Sequence, residues 1–294
     1  MSDKVHYGGQ AVIEGVMMAG PDEMAVAVRR PSGEIVIEKK PVRPVGKNKS
    51  KILKIPLIRG CYALWNSLRL GIFALMFSAG QACGDEDELT WREMAVTTAV
   101  ALVLAIGLFI VLPAWGGGLL ASYGLSEALA NLIEGVFRLA VFLGYIVAIS
   151  RLKDIRRVFQ YHGAEHKAIN ALEAGDALEA GIVLRHSTRH PRCGTSFLLF
   201  AVVVSTVVFS AVGDQSPLWR IISRLALLPV VVGISYELIR AAGRFPHSKF
   251  FGFLSAPGMW LQGLTTLEPD QEQVEVALAA LQAVRQPDVR VQVV

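Results

Sequence analysis

Residues 94–112 read MAVTTAVALVLAIGLFIVL, nineteen residues without a charge, and Pro113 follows. A helix needs about 20 apolar residues to cross a bilayer. The stretch therefore predicts a transmembrane helix that ends at the proline, which cannot continue a helical hydrogen-bond ladder. Residues 135–150, 197–212 and 225–236 are further apolar stretches. The last two are short, and the final one reaches spanning length only with residues back to Trp219. Glu134 precedes Arg138 by four positions, the favoured orientation of a helical ion pair, which lowers the cost of burying the arginine. Composition agrees, with 53% hydrophobic and 18% charged residues, against about 25% charged in ordinary soluble domains.

Charge placement sets the orientation. Residues 1–91 hold twelve Lys and Arg and residues 151–196 hold eight, whereas residues 113–134 hold none and residues 211–220 one. The positive-inside rule then puts both termini and the 151–196 loop in the cytoplasm, with Trp115 and Trp219 at the outer interface. The first ten residues have no apolar core of a signal peptide. Cysteines 61, 83 and 193 are odd in number and scattered, unlike a disulfide framework.

The flanking segments are less apolar. Residues 24–30 and 35–40 are β-prone around Pro31-Ser32-Gly33, the signature of a hairpin. The preceding GGQAVIEGVMMAGP lacks both phosphate-loop and dinucleotide spacing and reads as a glycine-bent strand under that hairpin. In residues 55–82, Arg59, Tyr62, Asn66 and Arg69 recur at helical spacing, which predicts an amphipathic helix lying in the interface without crossing. If it crossed, every later loop would invert. After the last span, residues 245–270 are aromatic and broken by Gly and Pro, a membrane-hugging segment. Residues 271–284 then predict an amphipathic helix with Val274, Ala277, Leu278 and Leu281 on one side.

Chemistry concentrates in the 151–196 loop. YHGAEHK at 161–167 places His162 and His166 one turn apart on a helix predicted over 160–174, with Gly175 as its stop. Glu165 falls on the same face. Two imidazoles at this spacing can grip one ion, and the carboxylate can serve as a general base toward water. RHSTRHPRCG at 185–194 carries His186, His190 and Cys193. Pro191 predicts a loop, and the two-residue gap lets His190 and Cys193 reach one ion, with Gly194 permitting a tight turn. Histidine and cysteine together favour zinc. The competing reading of Arg185, Arg189 and Arg192 is a basic loop resting on anionic lipid. His6 and His247 stand alone. Glu14, Glu173, Asp176 and Glu237 are possible oxygen ligands that nothing in the sequence singles out.

GGQAVIEGVMMAGP, HGAEHKAINALEAG, HPRCGT and APGMWLQGLTTLEPD together resemble the YqhQ-like family of bacterial membrane proteins, a family of unknown function described as predicted metal-dependent enzymes. The resemblance runs over nearly the whole chain. It implies the membrane topology and a role for His162, Glu165, His166, His190 and Cys193, and it implies no particular reaction.

The expected architecture is a mainly α integral membrane helical bundle of about four spans, with a small N-terminal β-hairpin region and a cytoplasmic His/Cys loop. Its segments are a β-rich region (1–54), an interfacial helix (55–82), a first transmembrane pair (92–150), the metal-binding loop (151–196), a second pair (197–240) and a cytoplasmic tail (241–294). The expected setting is a bacterial cytoplasmic membrane. Two functions compete. In one, zinc held by His162, His166 and one of His190 or Cys193 leaves a position for water, Glu165 is the general base, and the substrate is a lipid head group, a peptide or a small metabolite. In the other, all four ligands close around a structural zinc and the loop is a scaffold. A metal carrier is a weaker third, because the few polar residues in the spans, Glu134, Arg138 and Arg224, can pair with one another. The expected partners are membrane lipids, with no nucleic acid.

Overall fold

The computed structural model describes residues 7–42, 53, 55–83, 91–212, 216–245 and 248–285. Strands β1 (Gly8–Val12), β2 (Gly15–Ala19), β3 (Glu23–Arg29) and β4 (Ile35–Pro41) form one antiparallel meander in that order. The helices are α1 (Ile58–Cys83), α2 (Trp91–Ile106), α3 (Leu112–Ser122), α4 (Glu127–Ile149), α5 (Lys153–Ala174), the single turn α6 (Ala180–Val183), α7 (Gly194–Ser210), α8 (Pro217–Arg244), α9 (Lys249–Thr265) and α10 (Gln271–Arg285).

The hairpin expected around Gly33 is β3–β4, with Arg29 opposite Ile35. The glycine-rich stretch before it is a second hairpin and not a single bent strand. Val12 pairs with Gly15 across Ile13 and Glu14, so the β region is a four-stranded sheet. Side chains alternate between its faces. Val16, Met18, Ala25, Ala27 and Ile37 share a core with α5 and α10. Val12, Met17, Met24, Val26 and Val28 meet Leu70 and Ala74 of α1. The apolar side predicted for residues 271–284 is the buried side of α10. The sheet is thus a middle layer between α1 and the α5/α10 pair.

Among the described residues, three helical stretches are long and apolar enough to cross a membrane: Ala95–Leu120, Leu129–Ile149 and Leu218–Arg244. Helix α7 is apolar but only 17 residues long, and it packs between α4, α8 and α9. Helix α1 is not among the three. The predicted stop at Pro113 does not occur. A wider π turn over Gly107–Val111 comes first, and the Leu112 N–H reaches back five residues to the Gly107 carbonyl. Pro113 has no N–H to give to the carbonyls of the preceding turn, and Arg138 Nε donates to one of them, that of Phe109, at 3.2 Å. Residues 245–270 differ from expectation as well, since α9 runs unbroken through Pro257.

The polar groups inside the apolar helices form one cluster. Glu134 accepts from Arg138 Nη2 at 2.5 Å and from Arg224 Nε and Nη2 at 3.3 Å. Arg220, which the sequence analysis passed over, donates to Glu134 and to Asn131. All four charged side chains are buried. Removing one partner of a buried pair leaves uncompensated charge, at a cost of about 3–5 kcal/mol. Glu134→Gln should therefore lower the unfolding midpoint of detergent-purified protein sharply, whereas Glu34→Gln, which loses the half-exposed surface pair with Arg30, should change it far less. Equal midpoints for the two variants would show that the cluster does not hold the helices.

Candidate metal centre

Helix α5 begins at Lys153, seven residues before the predicted start, and ends as expected where Gly175 takes a left-handed φ of 81°. Its periodicity stacks His162 and His166 with ring centroids 4.5 Å apart. The second cluster arrives as a loop pinned along α5. Lys167 Nζ donates to the carbonyls of Leu184 (2.8 Å) and His186 (2.7 Å). Asn170 Nδ2 donates to those of Ser187 (2.8 Å) and Arg189 (3.1 Å). From α9, Gln262 clamps the His190 backbone, accepting from its N–H and donating to its carbonyl, both at 2.9 Å. Gly194 takes no special turn. It opens α7 behind Cys193, which caps the helix by accepting from the Thr195 N–H.

These contacts bring His162, His166 and Cys193 together, with candidate ligand atoms all within 4.8 Å of one another. Cys193 Sγ lies 3.3 Å from His162 Nε2. The histidines are set up as ligands by what their other nitrogens do. His162 Nδ1 lies 2.8 Å from the Thr265 carbonyl and His166 Nδ1 2.6 Å from the Thr188 carbonyl. A carbonyl only accepts, so both Nδ1 atoms carry the proton and both Nε2 atoms present lone pairs. This backbone orientation is the usual support of metal-binding histidines. The donor set suits a borderline-soft divalent ion such as zinc.

Glu165 is buried, accepts from the Gly9 N–H, and places Oε2 4.0 Å from His162 Nε2. Edge strand β1 therefore closes one side of the site. A Cβ on Gly9 would stand 2.8 Å from Glu165 Cγ. Tyr7, Gly8, His190, Arg192 and Gly194 complete the wall of a cavity of about 280 Å³.

His190 lines this cavity but lies outside the three-ligand group. His186 is drawn away to Asp176, 3.0 Å from its Nε2. The possible oxygen ligands are engaged elsewhere: Glu14 with Arg157, Glu173 with Arg192, and Glu237 with Arg59. His6 and His247 lie outside the described residues. Lys167, Asn170, Gln262 and Thr265 escaped the sequence analysis. The first two were within reach, one and four residues after His166 on the same predicted helix. Gln262 and Thr265 act on His190 and His162 from 72 and 103 positions away, and only the isolated polarity of Gln262 in an apolar run marked it.

A family model described as a protein of unknown function (DUF1385) matches residues 55–287. The chain belongs to this family. It is 37% identical over 287 residues to the uncharacterized protein YqhQ of Bacillus subtilis (strain 168), with 92% of this chain and 90% of the relative covered. No solved structure matches. The family match contains every residue of the His/Cys group together with Gln262 and Thr265, and it leaves out the sheet that supplies Gly9.

Burial dominates the titration of the site. It raises Glu165 to about 8, pushes His166 down to about 3, lowers His162 and His190, and raises Cys193 to about 11. A carboxyl whose folded pKa exceeds its unfolded value contributes stability that is fully present below the unfolded pKa and is lost as pH rises through the folded one. In chelator-treated protein, Glu165 should lose that contribution between its ordinary 4.5 and about 8. The histidines act oppositely, costing stability as pH falls below 6.5. The unfolding midpoint of wild type minus that of Glu165→Gln should therefore fall as pH is raised across this window, by several degrees on the order expected for one strongly shifted group. A flat difference curve would mean that Glu165 is not held as a buried neutral acid.

Proposed function

We propose that this is a multi-pass protein of a bacterial cytoplasmic membrane whose cytoplasm-facing centre is a zinc-dependent hydrolase site acting at the membrane surface. His162, His166 and Cys193 would hold the ion. The observation that carries the reading is the convergence of these three ligand atoms, all within 4.8 Å, in a cavity that Glu165 also lines. Three protein ligands with a carboxylate beside an open position are the arrangement of catalytic zinc, whereas closed sites take four. Zinc bound there would supply Lewis acidity toward a water and a substrate oxygen. The charge of the bound ion would hold the Glu165 carboxyl ionised against the effect of burial, so that Oε2 would take up a proton of the water. The Gly9 N–H orients that carboxylate, and the Thr265 and Thr188 carbonyls keep the imidazoles in the ligating tautomer. The charge asymmetry of the loops supports four spans, with α7 as the third, and both termini inside.

The structural-zinc reading keeps one observation in its favour, the presence of His190 in the same cavity. The two part at Glu165. Purified protein should carry about one zinc per chain, and His162→Ala and Cys193→Ser should each lose it. Glu165→Gln should retain zinc and normal protein levels yet fail in genetic complementation, since loss of a general base costs about 10²–10⁴ in rate. Complementation by Glu165→Gln would leave the zinc-clipped scaffold as the better account. The topology has its own check. A reporter fused after Gln160 should be active only in its cytoplasmic form, and activity of an external-only reporter there would invert the arrangement.

A further inference from the structure

The three histidines of the centre are not equivalent. The Arg192 N–H donates to His190 Nδ1 at 3.4 Å. A nitrogen that accepts carries the lone pair, so the proton of the neutral His190 ring sits on Nε2. That is the reverse of His162 and His166. His190 Nε2 is buried and has no hydrogen-bond partner among the described residues. The Glu173 carboxylate stands at 3.6 Å, within ion-pair reach but long for a hydrogen bond, and it is itself paired with Arg192. A buried donor without an acceptor is rare and costly in a folded protein. Here it lies in the wall of the cavity beside His162, Glu165 and Cys193.

We infer that His190 is not a metal ligand but the donor that receives a phosphate-type oxygen of the substrate, so that the hydrolase site takes a phosphoester. The inference rests on the hydrolase reading for the reaction but not for the binding. Two features converge on an anion: the Nε2–H of His190 and the amino end of the 17-residue helix α7, whose first residue, Gly194, lines the same cavity. The Arg192 guanidinium lines it too, with Glu173 as its present partner. Helix amino ends and guanidinium groups both favour phosphate oxygens. To ligate through Nε2, His190 would have to move its proton to Nδ1 and give up the Arg192 contact, whereas His162 and His166 are already in the ligating form.

The test uses zinc-loaded, full-length protein in detergent. Nitrogen-15 histidine spectra, with His190 assigned by its loss in His190→Gln, should show Nε2 protonated. Inorganic phosphate should bind in a calorimeter. His190→Ala should weaken that binding about 10–100-fold, the usual loss for a hydrogen bond to a charged group, while zinc stays at about one per chain. His190→Gln keeps an N–H donor at that end of the side chain and should recover most of the affinity. Vesicles of phosphatidic acid in phosphatidylcholine then identify the source of the phosphate. Displacement of inorganic phosphate by them supports a lipid head group, and its absence supports a soluble phosphoester. Loss of zinc in His190→Ala, an Nδ1-protonated ring, or unchanged phosphate affinity in His190→Ala would each overturn the inference. Wild-type protein that binds phosphate but no zinc would sink the hydrolase reading and leave the phosphate site standing. Zinc without phosphate binding would do the reverse.

Discussion

The centre depends on one backbone contact. A Cβ on Gly163 would lie 1.9 Å from the Leu267 carbonyl, so only glycine lets α5 and the segment leaving α9 touch. The Leu267 N–H then bonds to the Phe159 carbonyl at 2.9 Å. With that segment held against α5, the Thr265 carbonyl lies at His162 Nδ1 and Gln262 reaches the His190 backbone. The tautomer of one candidate ligand and the position of the loop bearing another thus follow from a missing methyl group next to the first histidine.

The same contact ties the centre to the apolar helices. Helix α9 turns Leu261, Gln262 and Thr265 inward and leaves Phe250, Phe253 and Trp260 exposed. Helix α7 starts at the cavity and runs into the apolar bundle. The bundle also supplies a partner to one of its own backbone groups. Pro113 offers no N–H to the turn before it, and Arg138, held by Glu134, bonds to the Phe109 carbonyl in that turn. Backbone polar groups in an apolar medium need such partners, so the charges in α4 are part of what lets a proline sit within a long apolar helix. This arrangement places the centre where the apolar helices meet the α1–sheet–α5/α10 layers, with β1 contributing a wall from one side and α7 from the other.

What the sequence discloses tracks how local the determining interaction is. Helix α5, its stop at Gly175, the β3–β4 turn at Gly33 and the apolar side of α10 depend on residues within a few positions, and all were readable. The β1–β2 hairpin was not, because its turn residues Ile13 and Glu14 carry no glycine or proline signal, and Glu14 accepts a φ of 50° while paired with Arg157. Pro113 and Pro257 were read as breaks. The first is absorbed by a π turn and a distant arginine, and neither can be inferred from the proline itself. Candidate ligands were visible as residue types, but spacing alone treated His162, His166 and His190 alike and left His186 without a role.

Four histidines at two identical spacings end in three different environments. His162 and His166 face backbone carbonyls, His186 faces the Asp176 carboxylate, and His190 faces a backbone N–H. An imidazole facing a carbonyl is a lone-pair donor on its far side, and one facing an N–H is a proton donor there. A carboxylate partner draws the ring out of the centre. The role of each histidine is therefore written in the atom behind it, and those atoms belong to residues 265, 188, 176 and 192, none of which a ligand motif includes. For this reason the choice between a three-ligand open site and a four-ligand closed one turns on the backbone of the 184–193 loop and not on the count of histidines and cysteines within it.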